Sequence, residues 1–322
     1  MPKVLVTDHT FAPLDIEQRI LEPLGAVVDA QQCKTVEQLL PLVADVDAVI
    51  TQFSPVNAQV IAAMKNVRVI VRYGIGVDNV DLQAAKERGI PVCNVPEYCI
   101  DEVADQTLAF MLGLTRQVVP NCLRVRGGQW GLAVPITEMK TVRDLTVGVV
   151  GFGRIGREVV RRLLPFRGVI RVFDPMVNPK EIESAGASAA SSLDELLPQS
   201  DIITLHCPST AQTRRMLGGE SLSKMKRGSI LVNLARGDLV DTSALVAALQ
   251  SGHLAGAALD VCDPEPIPPG HPLLQMPNVI VAPHVASASA RAVRTLREMA
   301  AGLVAKRLRG EPLPSVVNGV TT

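Results

Sequence analysis

The sequence predicts an α/β protein of two doubly wound parallel-sheet domains, and three observations carry that expectation. A length of 322 residues, at roughly 100–200 residues per domain, favours two domains over one core. Short apolar runs of β type alternate with helix-length amphipathic segments, and parallel strands require such crossovers. The alternation pauses at a long helical stretch and a Gly/Pro-punctuated passage, then restarts, which marks a second sheet.

In chain order, residues 3–7, Ala48–Thr51, Val69–Arg72 and 91–94 read as the first strands. Residues 14–24, 35–44, 57–64 and 81–88 show helical spacing between them. Residues 101–126 read as one long helix, with Asp101 as N-cap and Glu102 and Asp105 in a first turn that suits the helix dipole. Gly127-Gly128, Gly131 and Pro135 then break the pattern. The second strand series is Thr146–Val150, Val169–Phe173, Ile202–Leu205, Ser229–Asn233, 256–260 and Val279–Val281, and a helix over 287–309 closes the chain.

Composition narrows the function classes. Thirty-two Lys and Arg offset 32 Asp and Glu, so the overall balance supplies no attraction to nucleic acid or anionic membrane. No apolar run approaches the roughly 20 residues of a membrane span. Met1-Pro2-Lys3 leads straight into Val4-Leu5-Val6 without a signal-type apolar region, and a cytoplasmic location is expected. The six cysteines form no Cys-x-x-Cys or zinc-like cluster; they read as reduced, small hydrophobes, and no metal is expected. One Trp, two Tyr and six Phe are too few for a base-stacking platform.

The most specific local signal is Gly151-Phe152-Gly153-Arg154-Ile155-Gly156, which follows an apolar strand and opens a helix over 155–164. Gly151 permits a tight turn, Gly153 lets a pyrophosphate approach the backbone, and Gly156 lets helix and strand pack closely. Arg154 and Ile155 stand at the helix N-terminus, whose N–H groups suit a diphosphate. The next strand ends in Asp174, which can accept from ribose hydroxyls and would repel a 2′-phosphate. Pro175-Met176 supplies no arginine to hold one, so NAD is expected over NADP.

Four further stretches matter jointly: Asn233-Leu234-Ala235-Arg236-Gly237, Leu259-Asp260-Val261-Cys262-Asp263-Pro264-Glu265-Pro266, Ala282-Pro283-His284-Val285-Ala286 and Tyr73-Gly74-Ile75-Gly76-Val77-Asp78-Asn79. With these motifs in the family's chain order and at plausible spacing, the chain resembles the D-isomer-specific 2-hydroxyacid dehydrogenase family over nearly its whole length. Val71-Arg72-Tyr73-Gly74 and Val95-Pro96-Glu97-Tyr98-Cys99 are most similar to the branch holding phosphoglycerate dehydrogenases and C-terminal-binding-protein corepressors.

The resemblance implies an NAD-binding Rossmann domain over 99–285 and a smaller flavodoxin-like substrate or lid domain over 1–98 and 286–322. It implies interconversion of a small D-2-hydroxy acid and its 2-keto acid by hydride transfer. In those roles His284 is general acid/base, Glu265 holds its other ring nitrogen, and the Arg236 fork binds and polarises substrate. Backbone N–H groups of Ile75, Gly76 and Val77 would hold the substrate carboxylate. Arg72 is similar to an arginine that can meet an acid ligand, with a salt-bridged strand end as the alternative.

Asp260 matches a position that orients the nicotinamide carboxamide, and Thr107 one near the diphosphate, unless its hydroxyl merely packs a helix. Cys207, Pro208 and Ala235 match loops lining the cofactor cleft. A homodimer is implied, with residues 129–137 and the long helix at its interface. An NAD(H)-sensing, corepressor-like partner protein with little turnover is the alternative, although Ala286-Ser287-Ala288-Ser289 lacks the aromatic residue of that pocket.

Overall fold

The computed structural model describes residues 1–321, and its strands form two wholly parallel sheets. The first unit comprises Met1–Tyr98 and the segment from Ser289 onward. Its strands are β1 (Lys3–Val6), β2 (Val27–Ala30), β3 (Ala48–Thr51), β4 (Val69–Arg72) and β5 (Val92–Cys93), in the order β2-β1-β3-β4-β5. Val4, Leu5, Val6, Val49, Ile50, Ile70 and Val71 are fully buried, as a parallel sheet covered on both faces requires. Helices α1 (Asp15–Leu21), α2 (Val36–Leu39), α3 (Ala58–Ala63) and α4 (Leu82–Glu87) make the crossovers. Asn57 and Asp81 start α3 and α4 by accepting the N–H groups of Val60 and Ala84.

Strand order reverses between β1 and β3, so the loops leaving them diverge at the sheet's C-terminal edge, the place where doubly wound sheets bind ligands. Asp8, just past β1, braces this edge: Oδ1 accepts from Gln52 N at 2.9 Å and Oδ2 from Phe53 N at 2.6 Å.

The second unit is Cys99–Ala288. It begins with α5 (Ile100–Thr115) and α6 (Val118–Arg126). Then follow β6 (Thr146–Val150), α7 (Arg154–Leu163), β7 (Val169–Phe173), α8 (Pro179–Ser184), β8 (Ser188–Ala189) and α9 (Leu193–Leu196). The rest is β9 (Ile202–Leu205), α10 (Gly219–Lys224), β10 (Ser229–Asn233), α11 (Thr242–Gln250), β11 (Leu254–Leu259) and β12 (Val279–Val281). The sheet order β12-β11-β10-β9-β6-β7-β8 is that of a Rossmann fold, with its switch point between β6 and β9. The chain then returns to the first unit as α12 (Ala290–Leu308), capped by Ser289 Oγ on Ala292 N.

Several local expectations are corrected. The expected helix over 101–126 is two helices, because Pro120 has no N–H for the carbonyl of Arg116, and Gln117 turns left-handed at φ +52°. In the first turn of α6 the missing donor costs nothing. α5 starts at Ile100 with Cys99 as N-cap, so Asp101 lies in its first turn. The edge strands β2 and β8 escaped the sequence pattern, since a two-residue or largely exposed strand shows no buried alternation. Ala286 to Ala288 cluster with the second unit rather than the first.

Candidate active site

The glycine turn at the switch point is shaped by close backbone approach. Gly151 sits at φ +97°, and a Cβ there would come within 2.7 Å of the His206 carbonyl carbon. At Gly156 a Cβ would meet Gly151 O at 2.1 Å. Gly153, by contrast, has open space where a side chain would stand, and it begins the ten-residue α7 without a side-chain cap. Exposed Arg154 and half-buried Ile155 follow it at the helix N-terminus. This is a cradle that a diphosphate fits and a side chain would fill.

Asp174, just past β7, accepts from Phe152 N at 2.7 Å through Oδ2 and from Met176 N at 2.8 Å through Oδ1. Its carboxylate thus fixes the glycine turn while keeping lone pairs for a ribose. Cys207 and Pro208 leave β9 beside this turn. Burial pushes the Cys207 thiol up to about 11, so it stays protonated and inert. Burial also drives the neighbouring His206 imidazole down to about 3, so this histidine is neutral. Thr107 is fully buried on α5, and its hydroxyl donates to Val103 O at 2.7 Å, the helix-packing arrangement.

The loops after β10, β11 and β12 bring the other motifs together. Asn233, which sequence reasoning left without a role, is 1% exposed and braces the first loop. Its Nδ2 donates to Arg236 O at 2.8 Å and its Oδ1 accepts from Ala235 N at 3.0 Å. Arg236 Nη1 donates to Ala235 O at 2.6 Å. Gly237 lets this loop press on the next, since a Cβ there would lie 2.0 Å from Cys262 O. Only glycine permits that approach, and it brings the Arg236 loop against the one carrying Glu265.

His284 Nδ1 lies 2.7 Å from Glu265 Oε1, so the carboxylate holds the ring by this nitrogen. Burial alone would raise the Glu265 carboxyl, but it is held below its usual range. The hydrogen bond and charge of His284, a Cys262 backbone hydrogen bond and the Arg236 charge outweigh burial. Arg236 is therefore electrostatically felt at the Glu265–His284 pair.

Asp260 builds the His284 loop. It is 1% exposed; its Oδ1 accepts from Val285 N and its Oδ2 from Ala286 N, both at 2.9 Å. Its backbone O accepts from His284 N at 2.8 Å, and its N donates to Asn233 O at 2.9 Å. His284 itself is held at φ +54°, a left-handed setting that a residue bearing a Cβ adopts only under constraint. Asp260 thus braces the loop on which His284 stands, an arrangement the sequence does not reveal.

In the first unit, the turn after β4 presents Ile75, Gly76 and Val77, all half-buried. Gly74 O accepts from Val95 N at 2.9 Å and Ile75 O from Asn94 Nδ2 at 2.7 Å. Among the described residues, none accepts from the N–H groups of Ile75, Gly76 or Val77. Successive backbone donors in a turn are the kind of feature that anion-binding concavities use. The Arg72 guanidinium folds over Gly74, where it takes the space of a Cβ, and lies 5.8 Å from the Phe53 ring centroid.

A doubly wound dinucleotide fold carrying an Arg, Glu and His set defines an oxidoreductase-like class, and comparison with known proteins specifies it. Residues 108–286 match the family described as D-isomer specific 2-hydroxyacid dehydrogenase, NAD binding domain. The chain is 38% identical to the D-3-phosphoglycerate dehydrogenase of Methanocaldococcus jannaschii, over 99% of this chain and 60% of that protein. It is 39% identical to the glyoxylate reductase of Thermofilum pendens, over 88% of this chain and 84% of that protein.

Among solved structures, a Thermus thermophilus protein superposes with a TM-score of 0.88 at 38% identity, covering 98% of this chain and 99% of that one. The Aquifex aeolicus D-lactate dehydrogenase complexed with NAD and lactic acid gives 0.87 at 28% identity, covering 96% of each. The chain belongs to the D-isomer specific 2-hydroxyacid dehydrogenase family, and NAD is the cofactor of its matched domain.

Proposed function

We propose that this protein is an NAD-dependent oxidoreductase that interconverts a small D-2-hydroxy acid and its 2-keto acid. The observation that carries the reading is the His284 Nδ1 to Glu265 Oε1 contact of 2.7 Å, with the Arg236 charge acting on the same carboxylate. Gly151, Gly153 and Gly156 would hold the diphosphate of NAD and Asp174 its ribose, and the bound cofactor would supply the hydride in reduction and accept it in oxidation. Arg236 offers a planar fork to the substrate carboxylate and draws electron density from the keto oxygen. His284 delivers a proton from Nε2 to that oxygen during reduction and takes it back during oxidation. Glu265 holds the ring by Nδ1, and Asp260 holds the loop on which the ring stands.

In this reading the N–H groups of Ile75, Gly76 and Val77 bind the substrate carboxylate, and Arg72 is a basic contact for an acidic substrate. The names of the relatives, glyoxylate reductase and D-3-phosphoglycerate dehydrogenase, support a short acid as substrate, and glyoxylate, hydroxypyruvate, branched keto acids and sugar-derived acids are the candidates. The test is a panel of 2-keto acids with NADH and NADPH, followed by nicotinamide absorbance. Turnover with NADH supports the reading. Tight NADH binding without turnover across the panel would favour a nucleotide-sensing partner protein instead.

We also assign the working form to a homodimer in the cytoplasm. Val118, Leu123, Leu132 and Ile136 are exposed in the segment beyond α5, and Trp130 is 92% exposed. Exposed apolar residues in one segment of chain suit a protein partner. No helix among the described residues is long and apolar enough to cross a membrane. Light scattering that reports a monomer at micromolar concentration would remove the dimer.

A further inference from the structure

The first unit contains a buried charge network that the proposed chemistry does not use. Glu17, on α1, has no exposed surface. Its Oε1 accepts from the Tyr73 hydroxyl at 2.8 Å and from Arg297 Nε at 3.0 Å; its Oε2 accepts from Arg297 Nη2 at 2.7 Å. Arg297, on α12, also donates to Pro13 O at 2.6 Å and Asp15 Oδ1 at 3.0 Å. Its guanidinium stands 5.1 Å from the Phe11 ring centroid, and Phe11 meets the Tyr73 ring edge-on at 5.1 Å. Tyr73 is 1% exposed, and it immediately precedes Gly74.

Packing of α1 on α12 does not call for these charges. Apolar residues of equal volume cover such a contact as well or better, because a buried ion pair loses in desolvation much of what it gains. What the network adds is direction. A carboxylate fixed by an arginine fork leaves one orientation for the phenol, and the phenol fixes the backbone at Tyr73. Tyr73 N donates to Thr51 O at 2.8 Å, while Asn94 and Val95 hold the carbonyls of Ile75 and Gly74. The start of the Ile75–Val77 turn is thus pinned through Tyr73, Gly74 and Ile75.

We infer that Glu17, Arg297 and Tyr73 are positioning residues that set the direction of the Ile75–Val77 N–H groups, and so substrate affinity rather than the chemical step. The inference rests on the carboxylate-binding reading of that turn. Its test is Tyr73→Phe in the full chain, which removes one hydroxyl, keeps the ring and leaves Glu17 with Arg297.

The KM for the best keto acid should rise about tenfold, equivalent to ~1.4 kcal/mol. The kcat and the NADH dissociation constant should stay within twofold. Amide hydrogen exchange over residues 74–77 should quicken, while that of β4 stays as in the parent protein. Arg297→Lys, which keeps the charge without the fork, should move KM and exchange in the same direction. A Tyr73→Phe protein with parental KM and parental exchange at 74–77 overturns the inference, whatever its melting temperature. A raised KM with unchanged exchange overturns it too, since affinity would then change without the turn. If the parent protein reduces no keto acid, the functional reading fails, and exchange alone decides whether the network holds the turn.

Discussion

Replacing Asp260 by Asn should slow the chemical step without loosening the cofactor. The substitution exchanges one carboxylate oxygen for an amide nitrogen that can only donate. Val285 N and Ala286 N now use one oxygen each, so one of them would lose its acceptor and face a donor instead. A hydrogen bond to a charged acceptor is worth ~1.5–3 kcal/mol, and a left-handed residue with a Cβ stores ~1–2 kcal/mol. His284, at φ +54°, therefore has reason to relax once half of its clamp is gone.

A loss of ~2 kcal/mol in the transition state corresponds to a kcat lower by about thirtyfold. The assay pairs keto-acid reduction, read from NADH absorbance, with a separate fluorescence titration of NADH. Near-parental NADH affinity with a thirtyfold lower kcat is expected. A kcat within twofold of the parent would refute the claim that Asp260 aims His284. A large loss of NADH affinity would instead support the carboxamide contact that the family resemblance implies.

Arg236→Lys keeps the charge but not the fork, and kcat/KM for reduction should drop at least about a hundredfold; a lysine variant of parental efficiency would contradict the assigned role. Asp174→Ala removes the carboxylate that a 2′-phosphate would meet and the acceptor of Phe152 N. The NADH-to-NADPH ratio of kcat/KM should fall by at least about tenfold, and an unchanged ratio would refute the ribose assignment.

Glu265 is held below its ordinary carboxylate range, and the sign of its pH effect follows. Its contribution to stability is complete above the unfolded-state value and fades only as pH falls through the lower folded value. The Glu265–His284 contact should therefore persist through mildly acidic pH. Glu265→Gln keeps an oxygen for Nδ1 but drops the charge, so the pH profile of kcat/KM for reduction should move acidward. Superimposable profiles would remove the electrostatic role of Glu265.

The long periodic segments and the glycine turn were legible because local pattern and tertiary role agree there. Gly151 and Gly156 are glycines for steric reasons that act within one strand–turn–helix unit. Strands β3, β4, β6 and β10 were legible because burial on both faces leaves continuous apolar runs. What escaped depends on partners distant in sequence. Asn233 looks like an ordinary strand-end residue until its amide is seen bridging Ala235 and Arg236. Asp260 could be placed near the cofactor by resemblance, yet nothing in its neighbours says that it closes on Val285 and Ala286. Glu17 and Arg297 stand 280 positions apart, so neither signals the other in the sequence. The break at Gln117 was readable from Pro120, but the apolar pattern running past it masked the signal.

If His284 delivers the proton, its loss should stop reduction and leave the hold on the cofactor intact. Single-turnover mixing of NADH-loaded His284→Ala with the best keto acid tests this most directly. Parental NADH binding and a rate of NADH oxidation lower by about 10²–10⁴-fold are expected. Oxidation at the parental rate would show that another group supplies the proton, and the roles given to Glu265 and Asp260 would fall with it.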